Sequence, residues 1–376
     1  MTHQTINGPI QIRRNVYWSP QTGMVAPEDD WLGISEHRYS PGLREMVCRL
    51  SLNEAFVPAS QNLKRLVQVT LSSSAVRHIV ESQGQSILTR QSLGEFTAGF
   101  TVDDCTDKTV ITGVDGVMVP HVTDEQKQKR RQTEKAKRRH QCHRSTAKGG
   151  RPKKGADGPY KEFKIAAFYS PDKRHRHVIG IRGNHAALGQ CLRREASRIK
   201  LDQADCKYSV TDGAGWILNQ CRRQLPMLDE NILDYYHFRD HVIKTSHALY
   251  GEGTEESVRW RKMMMTVVWE QGPLVFLDRL SDTYKPLHSP AKRNAVKSLQ
   301  NYTATRIEMV DYPAFRAKGY DCGSGPTESF CGCLTRRLKG RGMRWDGDNA
   351  ETVMAIASVY YTGRWEKYWK TERNAA

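Results

Sequence analysis

Two acidic residues are embedded in apolar, β-branched runs: Asp115 in TVITGVDGVMVP (109–120) and Asp212 in KYSVTDGAGWI (207–217). Runs of this kind read as buried central strands. An ionised group at the end of a buried strand needs a partner, because burying a bare charge is costly. A third acid, Glu328, follows in GSGPTES (323–329), where Pro326 suits the first turn of a helix. A single Asp at a strand end is more often a turn or cap residue than a ligand. Three acids in this order, two on strand ends and one on a distant helix, point instead to a carboxylate cluster.

Hard oxygen donors of this kind suit Mg2+, which keeps several of its waters and needs few protein ligands. Two such ions about 3.5–4 Å apart stabilise both the attacking and the leaving oxygen of a phosphoryl displacement. The expected set is two Mg2+, with Mn2+ able to substitute, held by Asp115, Asp212 and Glu328. Gly116 and Gly213 would let a DNA backbone or a metal-bound water approach. At about 100° per residue, Thr335 and Lys339 share the Glu328 face, with Arg336 close by. Phe330 and Leu334 fall on the opposite face, with Leu338 at its flank. LDYYH (233–237) adds Asp234, as a further ligand or a support for one, and His237, to contact phosphate or orient water. The bland alternative is a partly buried polar pair at a strand end.

The 376-residue chain carries a net charge of +17, which favours a polyanionic partner. It has no apolar run long enough to span a membrane and no apolar signal core at its start. Nine cysteines without a compact framework suggest reduced thiols and a cytoplasmic setting. Cys331-Gly332-Cys333 is too tight for a zinc knuckle, and His140, Cys142 and His143 lack a second half.

Residues 1–100 are expected to form a mainly helical region preceded by a short strand or hairpin. Helical stripes run from Pro41, and serines before Ala75 cap a helix that Gly84 would stop. This is either a DNA-binding helix-turn-helix, with Arg77 and His78 near the start of its second helix, or an ordinary three-helix packing unit. The catalytic part spans 101–238 and is interrupted at 124–158, where 127–154 holds thirteen Lys/Arg and one acid. Such a run repels itself and reads as a mobile arm or a solvated loop. As an arm, its DNA contacts would include Lys129, Arg130, Arg131, Arg138, Arg139, Arg151, Lys153 and Lys154. Strands at 161–170 and 176–183, a helix at 185–200, the strand to Asp212, a helix at 215–223 and a strand-like 230–238 follow. This gives an α/β fold, a mixed five-stranded sheet flanked by helices in ribonuclease-H-like order. An all-α insertion occupies 239–320, and in it Trp260 and Trp269 are either core residues or stacking platforms for an unpaired base. Residues 321–345 carry the Glu328 helix with Arg336, Lys339, Arg341 and Arg344 as phosphate contacts. Residues 346–376 close the chain with a helix and an aromatic tail.

Taken together, GVDGVMVP, KEFKIAAFY, TDGAGWI, ILDYYH, GSGPTES, RRLKGRGMRW and GRWEKYW resemble the ISKra-type insertion-sequence transposases. These are bacterial DDE enzymes related to Mutator-like transposases. The resemblance runs from about Met24 through WLGI (31–34) to Trp369. It implies Asp115, Asp212 and Glu328 as the catalytic triad, with Asp234 and His237 forming the DxxH motif that precedes the insertion. It also implies double-stranded DNA as partner (element ends and target), a dimer or higher oligomer on DNA, and a nucleoid-associated cytoplasmic protein. The family usually begins with a cysteine-rich, zinc-ribbon-like segment, whereas RRNVYWSPQTG here has no cysteine. A structure-specific nuclease of the same fold and an inactive, DNA-binding copy are the competing readings.

Overall fold

The β-branched run around Asp115 forms one twelve-residue strand at the centre of the sheet. The computed structural model describes residues 1–31, 34, 38–140 and 154–374, with 30, 31 and 134–140 described by backbone only. Arg151, Lys153, Cys142, His143 and most of WLGI therefore lie outside the described residues, as do the side chains of Arg138, Arg139 and His140.

Two small hairpins open the chain: β1 (Thr2–Thr5) with β2 (Gly8–Gln11), and β3 (Tyr17–Ser19) with β4 (Gly23–Val25). Helices α1 (Pro27–Trp31), α2 (Pro41–Ser51), α3 (Phe56–Asn62) and α4 (Ser73–Ser92) follow. Next come β5 (Thr109–Pro120), α5 (Asp124–His140), β6 (Tyr160–Tyr169), β7 (Arg176–Ile181), α6 (His185–Arg198), β8 (Cys206–Thr211), α7 (Gly215–Gln224) and β9 (Glu230–Leu233). The insertion comprises α8 (Tyr235–Tyr250), α9 (Glu255–Tyr284), α10 (Pro290–Ala304) and α11 (Tyr312–Ala317). The chain ends in α12 (Gly325–Thr335), α13 (Gly347–Tyr361) and α14 (Trp365–Asn374).

The main sheet has the order β7-β6-β5-β8-β9, antiparallel on one side of β5 and parallel on the other. Alternate residues of β5 serve two cores. Val110 and Val114 face α6 and α7, together with Leu188, Leu192 and Ile217. Ile111, Val117 and Val119 face the side that holds α12 and α13. Gly113 lies on that second face, and a Cβ there would meet the Thr327 side chain of α12 within 1.9 Å. Only a bare backbone lets the Glu328 helix lie this close to β5.

Three expectations are corrected. The basic run does not begin as a mobile loop: Asp124–His140 is helical, its Lys, Arg, Gln and Glu residues being good helix formers, with Lys129 paired to Glu125 one turn away at 2.7 Å. The base of the excursion is closed where Ala156 N donates to Val122 O and Asp124 N to Ala156 O. Gly84 does not stop a helix. Helix α4 continues to Ser92, and Gly84 is where it crosses α13, a Cβ there meeting Thr352 O at 2.4 Å. Residues 230–238 are not one strand, since β9 ends at Leu233 and α8 starts at Tyr235. Trp260, open between a core residue and a stacking platform, is buried and donates to Thr283 Oγ1, as the core reading has it.

Helices α2–α4 also do not stand apart from the rest of the chain. Arg44 and Arg90 pair with Glu372 of α14, and Trp365 Nε1 donates to Glu45. The first and last segments thus share one core with the second face of the sheet.

Candidate active site

Parallel pairing sets the first two acids side by side. In the β5–β8 ladder each residue faces the one 97 positions later, from Thr109↔Cys206 to Thr112↔Ser209. Continued past the end of β8, that register puts Asp212 opposite Asp115. In the β8–β9 ladder the offset is 22, ending at Thr211↔Leu233, so Asp234 continues the same row. Asp212 and Asp234 directly follow the last residues of β8 and β9, where chains leave the sheet and a cleft opens. Asp115, expected at a strand end, lies instead midway along β5, which runs on paired with β6 to Pro120. The cleft, of about 290 Å³, is lined by these three, by Glu328 of α12, and by Tyr236, His237 and Asp240 of α8.

Each acid is held differently. Asp115 Oδ1 accepts from Gly116 N at 2.6 Å. Burial, above all, raises its pKa, and the charge of Asp212 adds to this. The Gly116 N–H, the Cys331 thiol and the charge of Lys339 act the other way. Asp212 Oδ1 accepts from Ala214 N at 2.8 Å in the turn into α7. Glu328 is exposed in the first turn of α12, with Ser324 Oγ donating to Oε1 at 3.3 Å.

Asp234 is not an open ligand. It is the N-cap of α8, its Oδ1 accepting from His237 N at 2.6 Å, and its Oδ2 accepts from Ser324 N at 2.5 Å. Both oxygens are engaged and the residue is 2% exposed. It joins the end of β9 to the start of the Glu328 helix. His237 lines the cleft beside His241, one turn further along α8, with ring centroids 5.4 Å apart.

Other expected positions scatter. Lys339 is exposed and its field reaches Asp115. Arg336, Arg341 and Arg344 are exposed nearby in sequence. Thr335, expected on the Glu328 face, is buried, its hydroxyl donating to Cys331 O. Arg77 is exposed and paired with Glu81. Lys129, Arg130 and Lys154 are exposed, and Arg131 is partly buried. Trp269 is partly buried, with the Arg316 guanidinium over its ring at 4.5 Å, and lines a separate 600 Å³ groove with Arg239, Arg261 and Lys262. Neither glycine is left bare for DNA: the Glu162 side chain lies over Gly116, and Gly213 is required by its φ of +72° and packs against Leu233.

Sequence reasoning missed Asp240, which falls three residues after His237 and becomes visible once α8 is known to be a helix. It also missed Cys331, three residues after Glu328, whose thiol meets Asp115 across the α12–β5 contact.

Among the described residues, no three acidic, histidine or cysteine side chains stand close enough to enclose one ion. The donor chemistry nevertheless fits Mg2+. The cleft offers carboxylate oxygens, and burial and the charge of Asp212 disfavour the charged form of Asp115, an imbalance that a cation relieves.

No family model matches the sequence, and no curated protein matches it. Among solved structures, "Drosophila P element transposase strand transfer complex" aligns over 87% of this chain and 93% of that one, with a TM-score of 0.40 and 10% identity. That similarity is too slight to define a common fold.

Proposed function

We propose that this chain is a DNA transposase with a ribonuclease-H-like core, of the ISKra type its motifs resemble, cutting DNA strands and joining them to a target. One observation carries the reading: the strand register aligns Asp115 with Asp212, and the helix bearing Glu328 closes over the same cleft. Asp115, Asp212 and Glu328 would hold two Mg2+, or Mn2+ in their place. When bound, the ions supply charge stabilisation at the attacking and leaving oxygens of the phosphodiester. His237, on the cleft wall, would contact the scissile phosphate. Lys339, Arg336, Arg341 and Arg344 would neutralise neighbouring phosphates, as would the exposed cations of α5, fixing position without reading sequence. Acting on two element ends calls for at least two copies of the chain.

Among the described residues no helix is long and apolar enough to cross a membrane. The net charge of +17 suits duplex DNA.

The test is Mg-dependent nicking and joining of duplexes that carry the element's terminal inverted repeats. Asp115→Ala, Asp212→Ala and Glu328→Ala should each reduce cleavage to background while DNA binding stays within about twofold, as expected when binding rests on phosphate contacts elsewhere. A variant that cuts at the wild-type rate removes that acid from the site. Cleavage without joining of 3′ ends would make the chain a nuclease instead.

A further inference from the structure

The helical insertion is attached to the strand ends that carry the acids. Tyr312 of α11 donates its hydroxyl to Leu233 O, the last carbonyl of β9, at 3.1 Å. Arg306, just beyond α10, donates through Nε and Nη2 to Gly213 O, each at 3.1 Å. Gly213 is the residue after Asp212, in the turn whose Ala214 N–H holds the Asp212 carboxylate. The guanidinium is itself held in place. Its Nη1 donates to Thr305 Oγ1 at 3.1 Å, and its carbon lies 4.1 Å from the centroid of the Tyr302 ring. That ring stacks in turn on His241 at 3.8 Å, beside His237.

We propose that Arg306 is a positioning residue for Asp212, through which the helical insertion fixes the second strand-end acid. A planar guanidinium can present two donors to one carbonyl and stack on an aromatic ring at the same time; an ammonium cannot do both. Gly213 takes a φ of +72° with its carbonyl committed to Arg306, so the turn has one defined conformation while the clamp is made. The Tyr302 hydroxyl is pushed up to about 12 by burial, with the charge of Arg306 acting against this and those of Asp212 and Asp234 adding to it. The residue touches no reacting atom. Its effect is on how well Asp212 is aimed, as with the groups that orient metal ligands in other proteins.

This inference rests on the function proposed above, and the experiment separates the two. Thermal melts of the full chain are recorded against Mg2+ alone for wild type, Arg306→Ala, Arg306→Lys and Asp212→Asn. Nicking and plasmid binding are measured in parallel. Arg306→Ala should raise the Mg2+ concentration for half-maximal stabilisation by roughly 10- to 100-fold and lower kcat for nicking by a similar factor. KM and DNA affinity should hold. Arg306→Lys should fall between Arg306→Ala and wild type. If Arg306→Ala melts too low to compare, Arg306→Lys decides: a wild-type Mg2+ response in that variant overturns the clamp. A wild type that neither responds to Mg2+ nor nicks DNA overturns the function, and the clamp's role with it. A responsive wild type matched by both Arg306 variants overturns the clamp alone.

Discussion

Asp234 accepts backbone hydrogen bonds from two segments, His237 in its own turn and Ser324 ninety residues later. A carboxylate used this way stabilises the structure before any ion arrives. Asp234→Ala removes a helix cap, worth about 1 kcal/mol. It also leaves the buried Ser324 N–H without an acceptor, which costs about 1–3 kcal/mol more. The variant should therefore lose about 2–4 kcal/mol in urea unfolding, the sum of those two effects, by the same amount in metal-free buffer and in Mg2+. Unchanged stability without metal, combined with a lost Mg2+ response, would make Asp234 a ligand. Asp115 stands in contrast. Its neighbours are a backbone N–H, a thiol and the charges of Asp212 and Lys339, and they do not fully offset its burial.

Among the helices, Gly84 gives a test in which two effects have opposite signs. In an exposed helix, Gly→Ala stabilises by about 1 kcal/mol through propensity. Here the new Cβ would collide with the Thr352 backbone of α13, and overpacking of this kind costs about 1–3 kcal/mol. Gly84→Ala should thus lower the urea midpoint; a raised midpoint would mean that α4 does not dock on α13 at this distance. The same glycine shows where the sequence was readable. Strands β5, β7 and β8 stand out as β-branched runs and β6 as an apolar, aromatic one, and Ser72 and Asn184 cap helix starts. The register that joins Asp115 to Asp212 follows from where β5 and β8 begin, Thr109 facing Cys206. The start of α8 was hidden because Tyr235, Tyr236 and Phe238 favour strands, so Asp234 read as a strand end rather than a cap. Helix α5 was hidden because charge repulsion was weighed above helix propensity. Gly84, Cys331 and Arg306 were not legible, since each acts through a partner distant in sequence.

Across the whole molecule, the sheet, α4 and the C-terminal segment meet at a buried charge cluster around Glu195. This fully buried acid accepts from His177 Nε2 at 2.8 Å, from Arg194 Nε at 2.8 Å and from Arg198 Nη1 at 2.9 Å. Arg198 also donates to Gln91 O of α4. Gly99 N donates to His177 Nδ1, which leaves the histidine neutral with its proton on Nε2. Buried Arg364, pushed down to about 10 by burial, donates to Thr97 O close by. Burial alone would raise the Glu195 pKa. The hydrogen bonds from His177 and Arg194 and the charge of Arg198 outweigh it and hold the group at about 2. A depressed carboxylate contributes stability in full above its ordinary value of 4.5, and that contribution is lost as pH falls toward about 2. Burial also lowers the pKa of His177 below 6.5, so the unfolded chain binds the imidazole proton more readily, and acid destabilises through this group too. Glu195→Gln should cost about 1–3 kcal/mol at pH 7, because it weakens a fully buried acceptor of charge-assisted hydrogen bonds from the half-buried Arg194 and Arg198. The deficit against wild type should then shrink between pH 4.5 and 2, where wild type loses the same interaction. Melting curves of the two proteins across that range are the measurement, and a constant gap would show that Glu195 does not hold the three segments together through its charge.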